Sequence, residues 1–172
     1  TSKNQTYVSV SATNSTGILP NNKYERYNVS GRNTASFLND KLTLDFGANL
    51  IFQNDRNMTA QGRYFNPLTS LYLFPRAENF DAVRMYERYN EGLGIYEQYW
   101  PYETQSMELQ NPYWTMNRII RENKKKRFMT NASLKWNIIE GIDITGRLKY
   151  DKTDMRSTDK RYASTIEQFA SA

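Results

Sequence analysis

Four aromatic residues crowd into the stretch Tyr96-Glu97-Gln98-Tyr99-Trp100-Pro101-Tyr102. Flat rings of this kind can stack on the C–H faces of sugars or on peptide side chains. They can equally build a small local core for their own segment or meet a partner protein. A second stretch, Leu71-Tyr72-Leu73-Phe74-Pro75-Arg76, mixes apolar side chains with a phenol and a guanidinium, and suits docking to a partner or folding under its own loop. Tyr72, Arg76, Tyr96, Tyr99, Trp100 and Tyr102 are therefore the candidates for contact with substrate or partner. Tyr113 and Trp114 directly follow the helix-start signal Asn111-Pro112 and read as structural.

Covalent chemistry has little to work with. The 172 residues contain no Cys and no His, which excludes thiolate or imidazole metal sites, disulfides, cysteine nucleophiles and a Ser-His-Asp triad. Asp143 and Asp151 form a carboxylate pair only formally. Both fall on the polar side of a strand, where nothing raises a carboxyl pKa, so no hydrolase is expected. No enzyme, cofactor or metal is expected at all. Net charge is +5, and the sharpest basic run is Lys124-Lys125-Lys126-Arg127. It accompanies no nucleic-acid-binding motif, so the alternatives are a solvated strand start or a contact with lipid phosphates. Five N-x-S/T triplets, at Asn4, Asn14, Asn28, Asn57 and Asn131, are what an Asn- and Thr-rich chain produces by chance.

The elements that must position these residues are strands. In Leu42–Gln53, Leu42, Leu44, Phe46, Ala48, Leu50 and Phe52 occupy every even position, and of the odd ones only Ile51 is apolar and bulky. Strand side chains alternate between faces, so one face is greasy and the other wet. Arg26–Phe37 repeats the pattern with Asn33 as its misfit, and so do Arg127–Trp136, with Met129 as the exception, and Ile142–Asp151. The expected strands span about 5–12, 24–37, 41–53, 127–137 and 142–151. Between them lie a loop over 13–22, short turns at Leu38–Lys41 and Ile138–Gly141, and a long loop over about 54–125. That loop carries helical spacing over Phe80–Tyr89 and again after Asn111-Pro112; the residues from Lys152 onward read as another loop.

The apolar medium beneath the greasy face can be a protein core or a bilayer. Mean hydropathy is −0.81, with no apolar run long enough for a membrane helix, but alternating strands hide a membrane barrel from such averages. Three features favour lipid. The strands reach the 9–11 residues that a tilted membrane strand needs, rather than the usual five or six. Connections alternate short and long, as in outer-membrane barrels. Aromatic residues (Tyr27, Phe37, Phe52, Phe128, Trp136, Tyr150) sit near strand ends, where interfacial girdles belong. The fold class expected is all-β: about five antiparallel transmembrane strands of a larger barrel, with a long extracellular loop containing short helices. Both chain ends read as cuts within something longer, or as processed ends. The alternatives are a soluble all-β carbohydrate-binding module and a passive adhesive surface protein.

Several stretches together resemble the SusC/RagA family of TonB-dependent outer-membrane transporters. They are Tyr7-Val8-Ser9-Val10-Ser11 with Thr16-Gly17-Ile18, Tyr27-Asn28-Val29-Ser30-Gly31-Arg32, Phe65 to Arg76 (FNPLTSLYLFPR), and Asn111 to Arg118 (NPYWTMNR). The resemblance implies a 22-stranded, plugged barrel in the cell outer membrane of a Gram-negative bacterium, importing glycan oligosaccharides or peptides. It also implies a SusD-like surface lipoprotein as cap, energy from the TonB–ExbB–ExbD complex, contact with outer-membrane lipids and lipopolysaccharide, and paired transporter–lipoprotein units. Nothing in the chain resembles the plug or the TonB box, so the piece expected is early-to-middle barrel.

Overall fold

The computed structural model describes residues 3–102 and 109–165. The architecture is mostly antiparallel β-sheet. Five long strands, β1 (Asn4–Thr16), β2 (Lys23–Phe37), β3 (Leu42–Arg56), β6 (Ile119–Ile139) and β7 (Ile142–Arg161), lie side by side in that order. A separate two-stranded sheet pairs β4 (Glu87–Asn90) with β5 (Ile95–Gln98) in antiparallel register, Tyr89 opposite Tyr96. Helices α1 (Pro67–Tyr72) and α2 (Pro112–Arg118) and a 3-10 turn over Phe80–Arg84 complete the inventory of described elements. No helix among the described residues is long and apolar enough to cross a membrane.

Four of the five long strands overrun the segment their alternation marks, while β2 matches its expected span to within one residue. β1 continues through Asn14-Ser15-Thr16, β3 through Asn54-Asp55-Arg56, β6 begins at Ile119 rather than Arg127, and β7 continues to Arg161 where a loop is expected from Lys152. The long loop accordingly spans 57–118 instead of 54–125, and the loop expected over 13–22 shrinks to a turn over 17–22. The physical reason is common to all four. Apart from Ile119-Ile120 at the start of β6 and Met155 in β7, these extensions are polar on both faces, so the period-2 signal disappears while backbone pairing with the neighbouring strand persists. The helix expected over Phe80–Tyr89 is also corrected. Asn79 caps a short 3-10 turn, accepting from the Asp81 N–H at 3.0 Å, and the chain then extends into β4. Pairing with β5 outweighs the local helical spacing. The hairpin is closed by Asn90, whose Oδ1 accepts from the N–H groups of Gly92 and Leu93.

Two compact units result. The first comprises residues 3–15, 24–54 and 123–156 and is a sheet. Its hairpin turns need unusual backbone: Leu38, Asn39 and Asp40 all have positive φ, as does Gly141 between β6 and β7. Asn and Asp tolerate this region and Gly adopts it freely, whereas a leucine pays in strain. Side chains fix which residues share a face. Asp45 on β3 receives Arg32 and Thr34 from β2, and a Cβ on Gly47 would meet the Asn131 side chain from β6 at 2.7 Å. The even residues of β2 and the odd residues of β3 and β6 thus form one polar face. Asn33, which breaks the alternation on the other face, is satisfied there by Asn4 and Thr6 of β1, each at 2.7 Å.

The second unit comprises residues 16–23, 55–102, 109–122 and 157–165 and has a core of its own. Trp114, Val83, Gln110 and Asn111 are almost fully enclosed, with Leu109, Met116 and Ile119 beside them. Both helices start with an Asn-Pro pair. Asn66 Oδ1 accepts from Leu68 N–H and Asn111 Oδ1 from Tyr113 N–H, each followed by a proline that needs no partner for its missing N–H. At the far end of α2 the Met116 carbonyl accepts from Asn21 and Asn57, which satisfies one of the acceptors a helix end leaves open.

Candidate functional site

In the second unit the aromatic candidates separate into three settings. Trp100 and Tyr102 join Phe74 and Phe80 in one cluster, with ring centroids 5.3 Å apart for Trp100–Tyr102, 4.9 Å for Phe74–Tyr102 and 5.4 Å for Phe74–Phe80. These are edge-on contacts of the kind that stabilise aromatic cores. Tyr99 instead lies beneath the Arg88 guanidinium, 3.4 Å from its ring centre. Tyr96 packs edge-on against Tyr89 across the β4–β5 hairpin at 5.2 Å. Tyr72 is 83% exposed and meets none of these clusters, and Arg76 is likewise on the surface. Trp100 and Tyr102 are thus brought together by folding, while Tyr72, Arg76, Tyr96 and Tyr99 are not brought to them. Tyr113 stacks on Tyr86 at 6.5 Å, and Trp114 is wholly enclosed, its indole N–H donating to Thr165 Oγ1 at 3.3 Å.

Two interactions there have no counterpart in the sequence reading. Arg118, at the end of α2, makes a bidentate pair with Glu87 of β4, Nε to Oε2 at 2.6 Å and Nη2 to Oε1 at 2.7 Å. Those hydrogen bonds hold the guanidinium pKa above its ordinary range, against the opposing effect of burial. The Tyr162 ring lies 4.7 Å and the Tyr96 ring 5.8 Å from the same guanidinium. Asn111 is the second. Its Nδ2 donates to the carbonyls of Val83 (2.9 Å) and Tyr99 (3.1 Å), and its own N–H donates to Gln98 Oε1 at 2.8 Å. One buried amide therefore ties the 3-10 turn, the segment after β5 and the start of α2 together. The N-cap role is legible from Asn-Pro; the partners of Nδ2 are not.

In the sheet unit the two faces differ in kind. The polar face carries cross-strand ion pairs: Arg32–Asp45 between β2 and β3, Arg127–Asp151 between β6 and β7, and Lys135–Asp143 nearer the hairpin turn. A hollow of about 580 Å³ on this face is lined by Arg32, Asp45, Asn131, Lys135, Asp143 and Arg147 among others. Asp143 and Asp151, the formal carboxylate pair, each lie opposite a cation on this face. Among the described residues no three acidic side chains converge to hold a metal ion.

The other face is apolar and exposed. Val8 and Val10 of β1, Tyr27 and Val29 of β2, Leu44, Phe46, Leu50 and Phe52 of β3, Phe128, Leu134 and Trp136 of β6, and Ile142, Ile144, Leu148 and Tyr150 of β7 all leave more than a third of their surface uncovered. Yet Ile51, the bulky apolar residue on the polar side of β3, is only 7% exposed. Phe128 and Tyr150, on adjacent strands, stand 6.2 Å apart at one edge of this face.

No family model and no curated protein matches the chain.

Proposed function

We propose that the chain is part of the wall of an outer-membrane β-barrel that imports nutrients. The observation that carries this is the exposed apolar face. Fifteen-residue β3 presents Leu42, Leu44, Phe46, Ala48, Leu50 and Phe52 on one side, a band about 33 Å long at about 3.3 Å per residue. Tilted by about 45°, it spans about 23 Å, close to the ~25 Å apolar band of membrane barrels. Water is a poor solvent for so large a continuous patch, and lipid is the medium that fits its flatness and height. The opposite face, wet and ion-paired, suits a hydrated barrel interior or contact with a plug.

The function follows from that setting and from the resemblance to SusC/RagA transporters. The chain belongs to an energised, TonB-dependent importer of glycan oligosaccharides or peptides, working by binding and gating without covalent chemistry. The second unit is its extracellular loop. Exposed Tyr72, with Leu71 and Leu73 beside it, forms the surface offered to a SusD-like lipoprotein, whereas Trp100 and Tyr102 shape the loop from within. The soluble carbohydrate-binding module is disfavoured because the rings it would use pack on one another.

Two experiments test this. Expressed alone, the chain should be insoluble and require detergent; a monodisperse, cooperatively melting monomer in plain buffer would replace the barrel by the soluble module. In a bacterium that makes the intact protein, deleting its gene should abolish growth on one class of oligosaccharide or peptide, and a protonophore should block uptake. Unimpaired growth across such a panel would end the import assignment.

A further inference from the structure

The basic run Lys124-Lys125-Lys126-Arg127 divides between the two faces of β6. Arg127 turns to the polar side, where its Nε donates to Asp151 at 2.9 Å, and Lys125 lies near enough to stabilise the same carboxylate. Lys124 and Lys126 share the parity of Phe128, Leu134 and Trp136 and are exposed with them. They line a shallow, mostly apolar hollow of about 230 Å³ together with Tyr27 of β2 and Phe52 of β3, and Lys125 borders it from between them. The one carboxylate there, Glu25, accepts from Asn54 Nδ2 at 3.3 Å. Arg127 and Lys135 on the polar face each have a carboxylate, but the side chains of Lys124 and Lys126 have no hydrogen-bond or ion-pair partner among the described residues.

Moving along the outward face of β6, the order is aliphatic and aromatic residues, then Phe128, then Lys126, then Lys124. At about 3.3 Å per residue the Cα atoms of Lys126 and Lys124 lie about 7 Å and about 13 Å beyond that of Phe128. Aromatic rings settle at the boundary between hydrocarbon and headgroups, and lysines just past it reach the phosphates. Two unpaired cations over an aromatic floor complement a phosphorylated, acylated ligand: the charges meet phosphate while Tyr27 and Phe52 meet the upper acyl chain.

We propose that Lys124 and Lys126, with Tyr27 and Phe52, form a binding site for the phosphorylated headgroup of a membrane lipid on the outer wall of the sheet. The site rests on the membrane-facing assignment of that wall and adds a defined ligand to it. The test uses the intact protein in detergent and fluorescent lipid A, either carrying both phosphates or dephosphorylated, with inorganic phosphate as competitor. The wild type should prefer the phosphorylated form, and inorganic phosphate at millimolar concentration should not displace it. The double variant Lys124→Gln/Lys126→Gln should bind about 30-fold more weakly. Lys135→Gln/Lys149→Gln, which removes the same charge from the polar face, should change binding less than about threefold. Equal losses in the two variants would mean that net charge, not this face, attracts the lipid, and would overturn the site. Absence of preference for phosphate would do the same, and because the protein still needs detergent in that case, the barrel assignment would survive. Full displacement by inorganic phosphate would replace the lipid by a free anion.

Discussion

The two units differ in where they put their largest apolar side chains. The second unit has an enclosed core, with Trp114 and Val83 buried, Asn111 fully bonded and Phe74, Phe80, Trp100 and Tyr102 clustered, although Tyr72, Tyr89, Leu93 and Tyr96 stay on its surface. In the sheet unit Phe46, Phe52, Phe128, Trp136 and Leu148 turn outward and stay uncovered. A solvent that penalises apolar surface stabilises the first arrangement and not the second. On the reading proposed above, one chain holding both meets two media, water around the loop unit and lipid against one face of the sheet.

Substitutions in each unit test this contrast. The largest expected effect is Trp114→Ala, which should destabilise the loop unit by about 3–5 kcal/mol because nothing nearby can refill an enclosed indole's volume. Its counterpart Trp136→Ala, on the exposed face, should change stability by less than about 1 kcal/mol in detergent. Denaturant unfolding monitored by amide exchange in α2 and in β6 would compare them; equal losses would mean that the sheet face is packed like a core. Next comes Asn111→Asp, expected to cost about 3 kcal/mol, since the carbonyls of Val83 and Tyr99 lose their donors and face a buried carboxylate. Faster amide exchange in α2 and β5, with β6 unchanged, would show that the effect stays within its unit.

Glu87→Gln should cost about 2 kcal/mol, because the partly buried Arg118 keeps its charge but loses its bidentate acceptor. Thermal unfolding at constant pH would read it, and a neutral result would show that the Tyr96 and Tyr162 rings suffice to hold the guanidinium. Asp45→Asn is the smallest, at under about 1 kcal/mol, because Arg32 is largely exposed and can stay solvated. A loss comparable to that of Glu87→Gln would indicate that the polar face of the sheet is far drier than its exposure suggests.

Strand residues were legible wherever the two faces differ chemically. Leu42–Phe52 announces itself because each even side chain is apolar, while Asp151–Arg161, polar on both sides apart from Met155, hides a strand equally long. Within the loop unit, Asn66-Pro67 and Asn111-Pro112 announce helix starts through local chemistry alone. The Arg118–Glu87 pair and the Asn111–Val83 bond join residues far apart in sequence, and no periodicity marks them. The candidate rings were found as types, but a run of aromatics does not say which of them pack inward. Folding split that run, placing Trp100 and Tyr102 in a cluster, Tyr99 under Arg88 and Tyr96 on the hairpin.

What the outward face of the sheet meets is directly measurable, because the chain contains no cysteine. Single cysteines introduced along β3 at Leu44, Phe46 and Ala48, and at Thr43, Asp45 and Asn49, can be spin-labelled in the intact protein in bilayers. Collision rates with dissolved oxygen and with a water-soluble nickel chelate should then alternate residue by residue, oxygen dominating at the even positions and nickel at the odd ones. Even positions shielded from both reagents would place that face in a protein core and contradict the account.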